Sequence, residues 1–322
     1  MEIFNLTLSQ MLMMFMLIII GFVLKKKNIV PDNAYITISK LETFVFVPAL
    51  NLGTMLSNCS VTSFVQNSYL ILFGLAAVLC AVAMAYPVSH FFVRNASDSA
   101  AKYQRNIYRY ALTFGNYGFM GNFIVLGIWG EEMFFKYSMF TLLITVVCTS
   151  WGLYVLIPKE QNTSKPLDNI RKGFCTPPFI ALLIGMAGGL LGIKSYIPDF
   201  ALNAISNASS CMGPCAMLLA GIVIGGYDFK SLFNQKKVYG VSLLRLIAIP
   251  AVFALVLKVI GASDVVITFT LIAFATPLGL NTIVYPAAYG GDTHTGASMA
   301  VISHTIAIIT IPVMYLLFVV MM

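Results

Sequence analysis

Apolar residues run along this chain in blocks of membrane length, and the polar breaks between them collect nearly all of the charge. Uncharged stretches recur at Ile3–Leu24, Tyr110–Gly130, Tyr137–Pro158, Gly173–Ile193, Phe200–Tyr227, Val265–Gly291 and Thr293–Met322. A helix needs roughly 20 mostly apolar residues to cross the hydrocarbon of a bilayer. The run Thr43–Val93 is too long for one crossing and carries the polar stretch Ser57–Ser68 in its middle, so it reads as two helices. Val238–Leu257 adds a span with Arg245 near one end, where a long side chain can reach the interface. The pattern predicts an all-α membrane protein of ten helices, at about 4–24, 34–56, 68–93, 107–129, 134–157, 177–194, 200–226, 238–260, 264–289 and 294–320.

Two of these helices are interrupted in their apolar middles. The fourth carries Phe114-Gly-Asn-Tyr-Gly-Phe-Met-Gly-Asn122, and the ninth carries Thr276-Pro-Leu-Gly-Leu-Asn-Thr-Ile-Val-Tyr-Pro286. In a bilayer every backbone N–H and C=O must find a partner, so irregular backbone survives only against protein or a water-filled cavity. A matched pair of broken segments in corresponding halves points to the binding site of a transporter.

The halves are five helices each. Pro48 in the second helix and Pro214 in the seventh are 166 residues apart; Asn122 and Asn281 in the broken helices are 159 apart. Similar offsets at equivalent helix numbers argue for a duplication. An odd number of helices per copy inserts the second copy upside down. The expected organisation is a first repeat at 1–158, a cytoplasmic linker at 159–176 and a second, inverted repeat at 177–322, with helices four and nine crossed. The alternative is that prolines and glycines are simply frequent in membrane helices.

Composition narrows the class further. The chain is 59% hydrophobic and 10% charged, against about 25% charged for soluble domains. No hydrophilic stretch is long enough for a soluble domain. The first helix is basic on its C-terminal side, the reverse of a cleaved signal peptide. The net charge of +7 does not mark a nucleic-acid surface, because of where it lies. Fifteen of the 19 Lys and Arg, from Lys25–Lys27 through Arg105 and Lys165 to Lys237, follow odd-numbered helices; Lys136, Lys194 and Lys258 lie on the other side. The positive-inside rule then expects a multi-pass cell-membrane protein with both termini outside the cytoplasm. The six cysteines form no CxxC pattern, and even Cys211 and Cys215 read better as small packing residues than as a metal pair, so no metal or cofactor is expected.

The candidate chemistry sits at the breaks. Gly118 and Gly121 loosen the fourth helix, while Asn116 and Asn122 offer donors and acceptors to freed backbone. Close helix packing on a glycine face is the competing reading. Pro277 and Pro286 each remove a backbone donor, with Gly279 and Asn281 between them. Two half-helix N-termini converging near Asn122 and Asn281 would attract an anion, most simply a carboxylate. Tyr117 and Tyr285 are further contact candidates, or ordinary packing aromatics. Pro48 and Pro214 are expected to kink rather than break their helices, and Asn51 either faces the cavity or caps the kink. Asp292 and His304 are the candidates for proton or sodium coupling. The alternatives are a helix cap for Asp292 and a buried neutral imidazole for His304.

The segments Arg109-Tyr-Ala-Leu-Thr-Phe-Gly-Asn-Tyr-Gly-Phe-Met-Gly121 and Pro277-Leu-Gly-Leu-Asn-Thr-Ile-Val-Tyr-Pro-Ala-Ala-Tyr-Gly-Gly-Asp292, with Val47-Pro-Ala-Leu50 and Ile311-Pro312, resemble the auxin efflux carrier family. The resemblance spans the chain in length, helix count and motif order. It implies an elevator-type secondary carrier. In such folds helices one, two, six and seven form a scaffold, through which a homodimer is expected, and the others form the moving domain. Bacterial relatives are associated with malate or malonate; plant relatives export an indole carboxylate. The family's pattern has a proline after the fourth-helix glycine, where this chain has Asn122.

The function expected is transport of a small organic anion by alternating access. Rival readings are a sodium-coupled symporter resembling the bile acid family, an intramembrane enzyme using His304 with Asp292, and a membrane receptor. The enzyme lacks a nucleophile–base–orienter set, and the receptor lacks an output domain.

Overall fold

In a computed structural model of the chain, the described residues are 2–159, 168, 171, 173–289 and 291–320. The expected linker at 159–176 lies largely outside them. Among the described residues the architecture is all-helical, and six segments are long and apolar enough to cross a membrane.

Helix α1 (Glu2–Lys26) is a single uninterrupted span. Helices α2 (Ala34–Leu41) and α3 (Val47–Asn58) are continuous through a π turn at Glu42–Phe46. The turn has a cause: Pro48 cannot donate, and the N–H of Val47 reaches back five residues to Glu42 O. Pro48 therefore distorts this helix without breaking it. Helix α4 (Val61–Asn67) leads into α5 (Tyr69–Phe92).

Helix α6 (Ser99–Thr113) begins eight residues before the sequence-based expectation of 107. Its first turns are polar, so hydropathy alone misses them; Asp98 starts it by accepting the Ala101 N–H at 2.7 Å. After a break the chain resumes as a π turn at Tyr117–Gly121 and α7 (Asn122–Val147). A second π turn at Cys148–Gly152 and α8 (Leu153–Leu156) complete a stretch of 40 residues. A continuous helix would place Tyr117 and Thr145 about 42 Å apart, yet their hydroxyls lie 3.4 Å apart. The chain folds back at Gly130, whose φ of 75° is open to glycine at little cost.

The second half holds α9 (Pro177–Leu190), α10 (Asp199–Ser210), α11 (Met212–Gly225) and α12 (Phe229–Phe233). The predicted sixth helix, 177–194, stops at Leu190 and gives way to a 3₁₀ turn at Ile193–Tyr196. The predicted seventh helix is α10 plus α11, with Pro214 in the first turn of α11. Helices α13 (Lys236–Leu243) and α14 (Ile249–Val259) join through a π turn at Leu244–Ala248, again just ahead of a proline, Pro250. Helices α15 (Asp264–Ala275), α16 (Asn281–Ala288) and α17 (His294–Tyr315) follow.

Packing is most extensive between α1 and α11, between α3 and α9, between α5 and both α6 and α7, between α3 and α10, between α14 and α15, and between α17 and both α1 and α13. The first two pairs meet backbone to backbone. A Cβ on Gly21 or Gly221 would overlap a carbonyl of the facing helix, and one on Gly185 would sit 2.8 Å from Leu52 O.

Candidate functional site

Both predicted interruptions are present. Helix α6 ends at Thr113, and helix α15 ends at Ala275 ahead of Pro277. Within the breaks the two stretches of chain pair: Gly115 and Leu278 form an isolated antiparallel bridge, and Asn116 N–H donates to Pro277 O at 2.7 Å. Leu278 N–H is held by Ser303 Oγ on α17 at 2.9 Å. Gly115 permits the approach, since a Cβ there would lie 2.7 Å from Thr276 O. The Asn116 N–H, the Pro277 carbonyl and the Leu278 N–H are thus partnered inside the protein, as hydrocarbon demands.

Each break is followed by a new helix start. The first intrahelical bonds of one come from Met120 and Gly121 to Asn116 O; those of the other come from Thr282 to Gly279 O and from Ile283 and Val284 to Leu280 O. Residues Tyr117 to Phe119 and Gly279 to Asn281 precede those bonds, where N–H groups lack helical acceptors. All six line one cavity of about 210 Å³. That is below the 300 Å³ or so at which drug-sized sites begin, so the space suits a small solute.

Each of the six predicted contact residues lies on its wall: Asn51, Asn116, Tyr117, Asn122, Asn281 and Tyr285. They differ in commitment. Asn51 Nδ2 donates to Pro178 O at 2.9 Å, tying α3 to α9. Asn281 Nδ2 donates to Tyr110 Oη at 2.8 Å, and that hydroxyl also lies 3.2 Å from Cys148 Sγ. Tyr117 Oη donates to Thr145 Oγ1. Asn116 is 4% exposed and its Nδ2 has no partner, nor has Thr176 Oγ1 on the same wall. No Asp, Glu, Lys, Arg or His is among the described residues lining the cavity.

Of the predicted structural residues, Gly118 and Gly279 reach the wall. Gly121 packs under Tyr137, whose hydroxyl would lie 2.5 Å from a Cβ there. Pro286 sits inside α16. The coupling candidates are elsewhere. Asp292 accepts the His294 N–H at 2.9 Å and the Thr295 hydroxyl at 2.5 Å, serving the start of α17 as a cap. His304 is 2% exposed, with Nδ1 2.7 Å from Ala300 O and Nε2 unpartnered. Neither lines the cavity.

Sequence reasoning missed a hydroxyl stripe on α7 and the turn after it. Ser138, Thr141, Thr145 and Thr149 all line the cavity, and each donates its O–H to the carbonyl four residues back. Their spacing of three or four residues was the available signal. With the protons committed to the helix, the oxygens remain as acceptors. The cavity therefore has a donor side, built from the two helix starts and Asn116, and an acceptor side on α7.

An uncharacterized transporter of Methanocaldococcus jannaschii is 27% identical over 199 residues, 61% of this chain and 63% of that relative. The chain thus aligns with somewhat less than two thirds of that relative's length. A family model described as "Membrane transport protein" matches residues 6–315, nearly the whole chain. With several apolar helices built around two paired interruptions, the chain is a multi-pass membrane protein belonging to that membrane transport protein family, the auxin efflux carrier-like group.

Proposed function

We propose that the protein is a secondary carrier of a small organic anion, most simply a mono- or dicarboxylate, bound where the two broken helices meet. One observation carries this reading: two helix starts and the uncommitted Asn116 amide face a single small cavity whose described wall holds no charged side chain. Helix N-termini carry about half a positive charge each and present N–H groups to anions. The α7 hydroxyl oxygens suit a hydroxyl or protonated group at the ligand's other end.

The alternating-access reading draws support from the cavity's walls. One side comes from α3 and α9, and the other from the helices around the breaks. A boundary between a scaffold and a moving domain is where an elevator carries its cargo. An inverted repeat of ten crossings, with units at 1–158 and 177–322, is supported by the packing. Counted as ten crossings rather than by helix label, a shift of five turns the contact of crossings one and seven (α1–α11) into that of six and two (α9–α3), and the contact of three and four (α5–α6) into that of eight and nine (α14–α15). On this reading the protein lies in the cell membrane with both termini outside the cytoplasm, and the scaffold forms a homodimer. It is a carrier rather than an enzyme, since His304 and Asp292 stand apart from the cavity.

Thermal unfolding of the purified protein against a panel of mono- and dicarboxylates tests the reading. A specific anion at a hundredfold excess over its dissociation constant stabilises the bound state by about 2.7 kcal/mol. Uptake of that anion into proteoliposomes is the expected sequel. Stabilisation by neutral or cationic solutes alone would remove the carboxylate assignment.

A further inference from the structure

Arg245 is fully buried, and no carboxylate accompanies it: the ion pairs among the described residues are Lys25–Asp32 and Lys136–Glu132. A buried guanidinium stays charged in proteins, so something else must balance it. Its partners are main-chain oxygens. Nη1 donates to Phe274 O; Nη2 donates to Ala273 O at 3.1 Å and reaches Thr113 O at 3.5 Å. Its carbon also lies 4.9 Å from the centre of the Phe274 ring.

Those carbonyls belong to the last turns of two helices. Thr113 closes α6, and Ala273 and Phe274 lie in the last turn of α15. The final carbonyls of a helix have no intrahelical partner and together carry about half a negative charge. One side chain thus bridges the negative ends of both first half-helices, while the positive ends of both second half-helices face the cavity. Arginine suits the task better than lysine, because its rigid fork of donors can serve two helix ends at once. Gly115 leaves room for it, since a Cβ there would lie 3.1 Å from Nη2. The π turn at Leu244–Ala248 carries Arg245 into the crossing.

In secondary transporters with broken helices, unwound carbonyls and half-helix C-terminal ends are where the coupling sodium or proton sits. We propose that Arg245 is a tethered cation that takes this place, so that the crossing binds its anion without sodium. The proposal rests on the anion-carrier reading above for its second half, and on the Arg245 geometry alone for its first.

The test begins with wild-type protein, unfolded thermally in NaCl and in choline chloride at equal ionic strength. Equal midpoints are expected, and a sodium-specific rise overturns the proposal whatever the variants do. Arg245→Met keeps the stem and removes the charge; Arg245→Ala leaves a gap that methylguanidinium can enter. Both are expected to unfold at lower temperature, with Arg245→Ala regaining stability in millimolar methylguanidinium and Arg245→Met not responding. If Arg245→Met matches wild type, the charge is not what the crossing needs. Malonate and pyruvate then serve as anion probes. Binding in wild type is expected to be equal in both salts and at least tenfold weaker in Arg245→Met. Binding that requires sodium overturns the proposal and leaves the carrier reading standing. Absence of binding by any carboxylate counts against the carrier reading, and the methylguanidinium rescue still decides the role of Arg245.

Discussion

Asn281 donates its side-chain N–H to Tyr110 Oη at 2.8 Å, so the second helix start is fastened to the helix that precedes the first break. Asn116, on the same cavity wall, makes no such bond with its Nδ2. The two asparagines should therefore separate stability from binding. Asn281→Ala is expected to cost about 1 kcal/mol of stability through the lost hydrogen bond, together with anion affinity. Asn116→Ala is expected to leave the unfolding temperature unchanged and weaken carboxylate binding by about tenfold or more, the worth of a bond to a charged group. Thermal shift with and without the anion reads both quantities.

A Cβ at Gly118 would meet nothing within 4 Å, although the residue lines the cavity. Gly118→Ala is expected to fold at least as well as wild type, since alanine favours a helix by up to about 1 kcal/mol over glycine. Gly118→Leu should also fold and should abolish anion uptake by filling the space. Loss of folding in Gly118→Ala would show that the glycine serves packing.

Gly115 is the opposite case. A methyl there would sit 2.7 Å from Thr276 O, which is backbone and cannot swing aside. Gly115→Ala is expected to lower stability by about 1–3 kcal/mol, the usual cost of overpacking, seen as a reduced unfolding temperature in the absence of any ligand.

His304 faces its own helix through Nδ1 and stands off the cavity. Counterflow exchange of labelled anion is expected to persist in His304→Gln. Its loss, together with the pH dependence of uptake, would return the imidazole to a proton path.

The breaks were legible because proline, glycine and asparagine inside an apolar run leave few other structures in a bilayer. Asn116, Tyr117, Asn122, Asn281 and Tyr285 could be named from that, and with Asn51 they line one cavity. The start of α6 was not legible by hydropathy, since its first turns carry Lys102 and Arg105 and extend past the apolar run. The role of Arg245 was out of reach for another reason. Read along the chain it is a long side chain near a span's end, free to reach water; its contact with Thr113 O joins residues 132 apart. Asp292 shows the limit from the other side: an acid beside a broken helix invites a coupling role, while its two bonds are those of a cap.

The bond from Asn116 N–H to Pro277 O and the Gly115–Leu278 bridge make the two interruptions a single piece of backbone. In the proposed carrier the donor side of the site would therefore move as one body. A ligand would meet the same donors at either face, against a different stretch of the α3 and α9 side. Such a pair holds no ratchet of its own, so in the proposed carrier the direction of net flow would be set by the electrochemical gradients across the membrane.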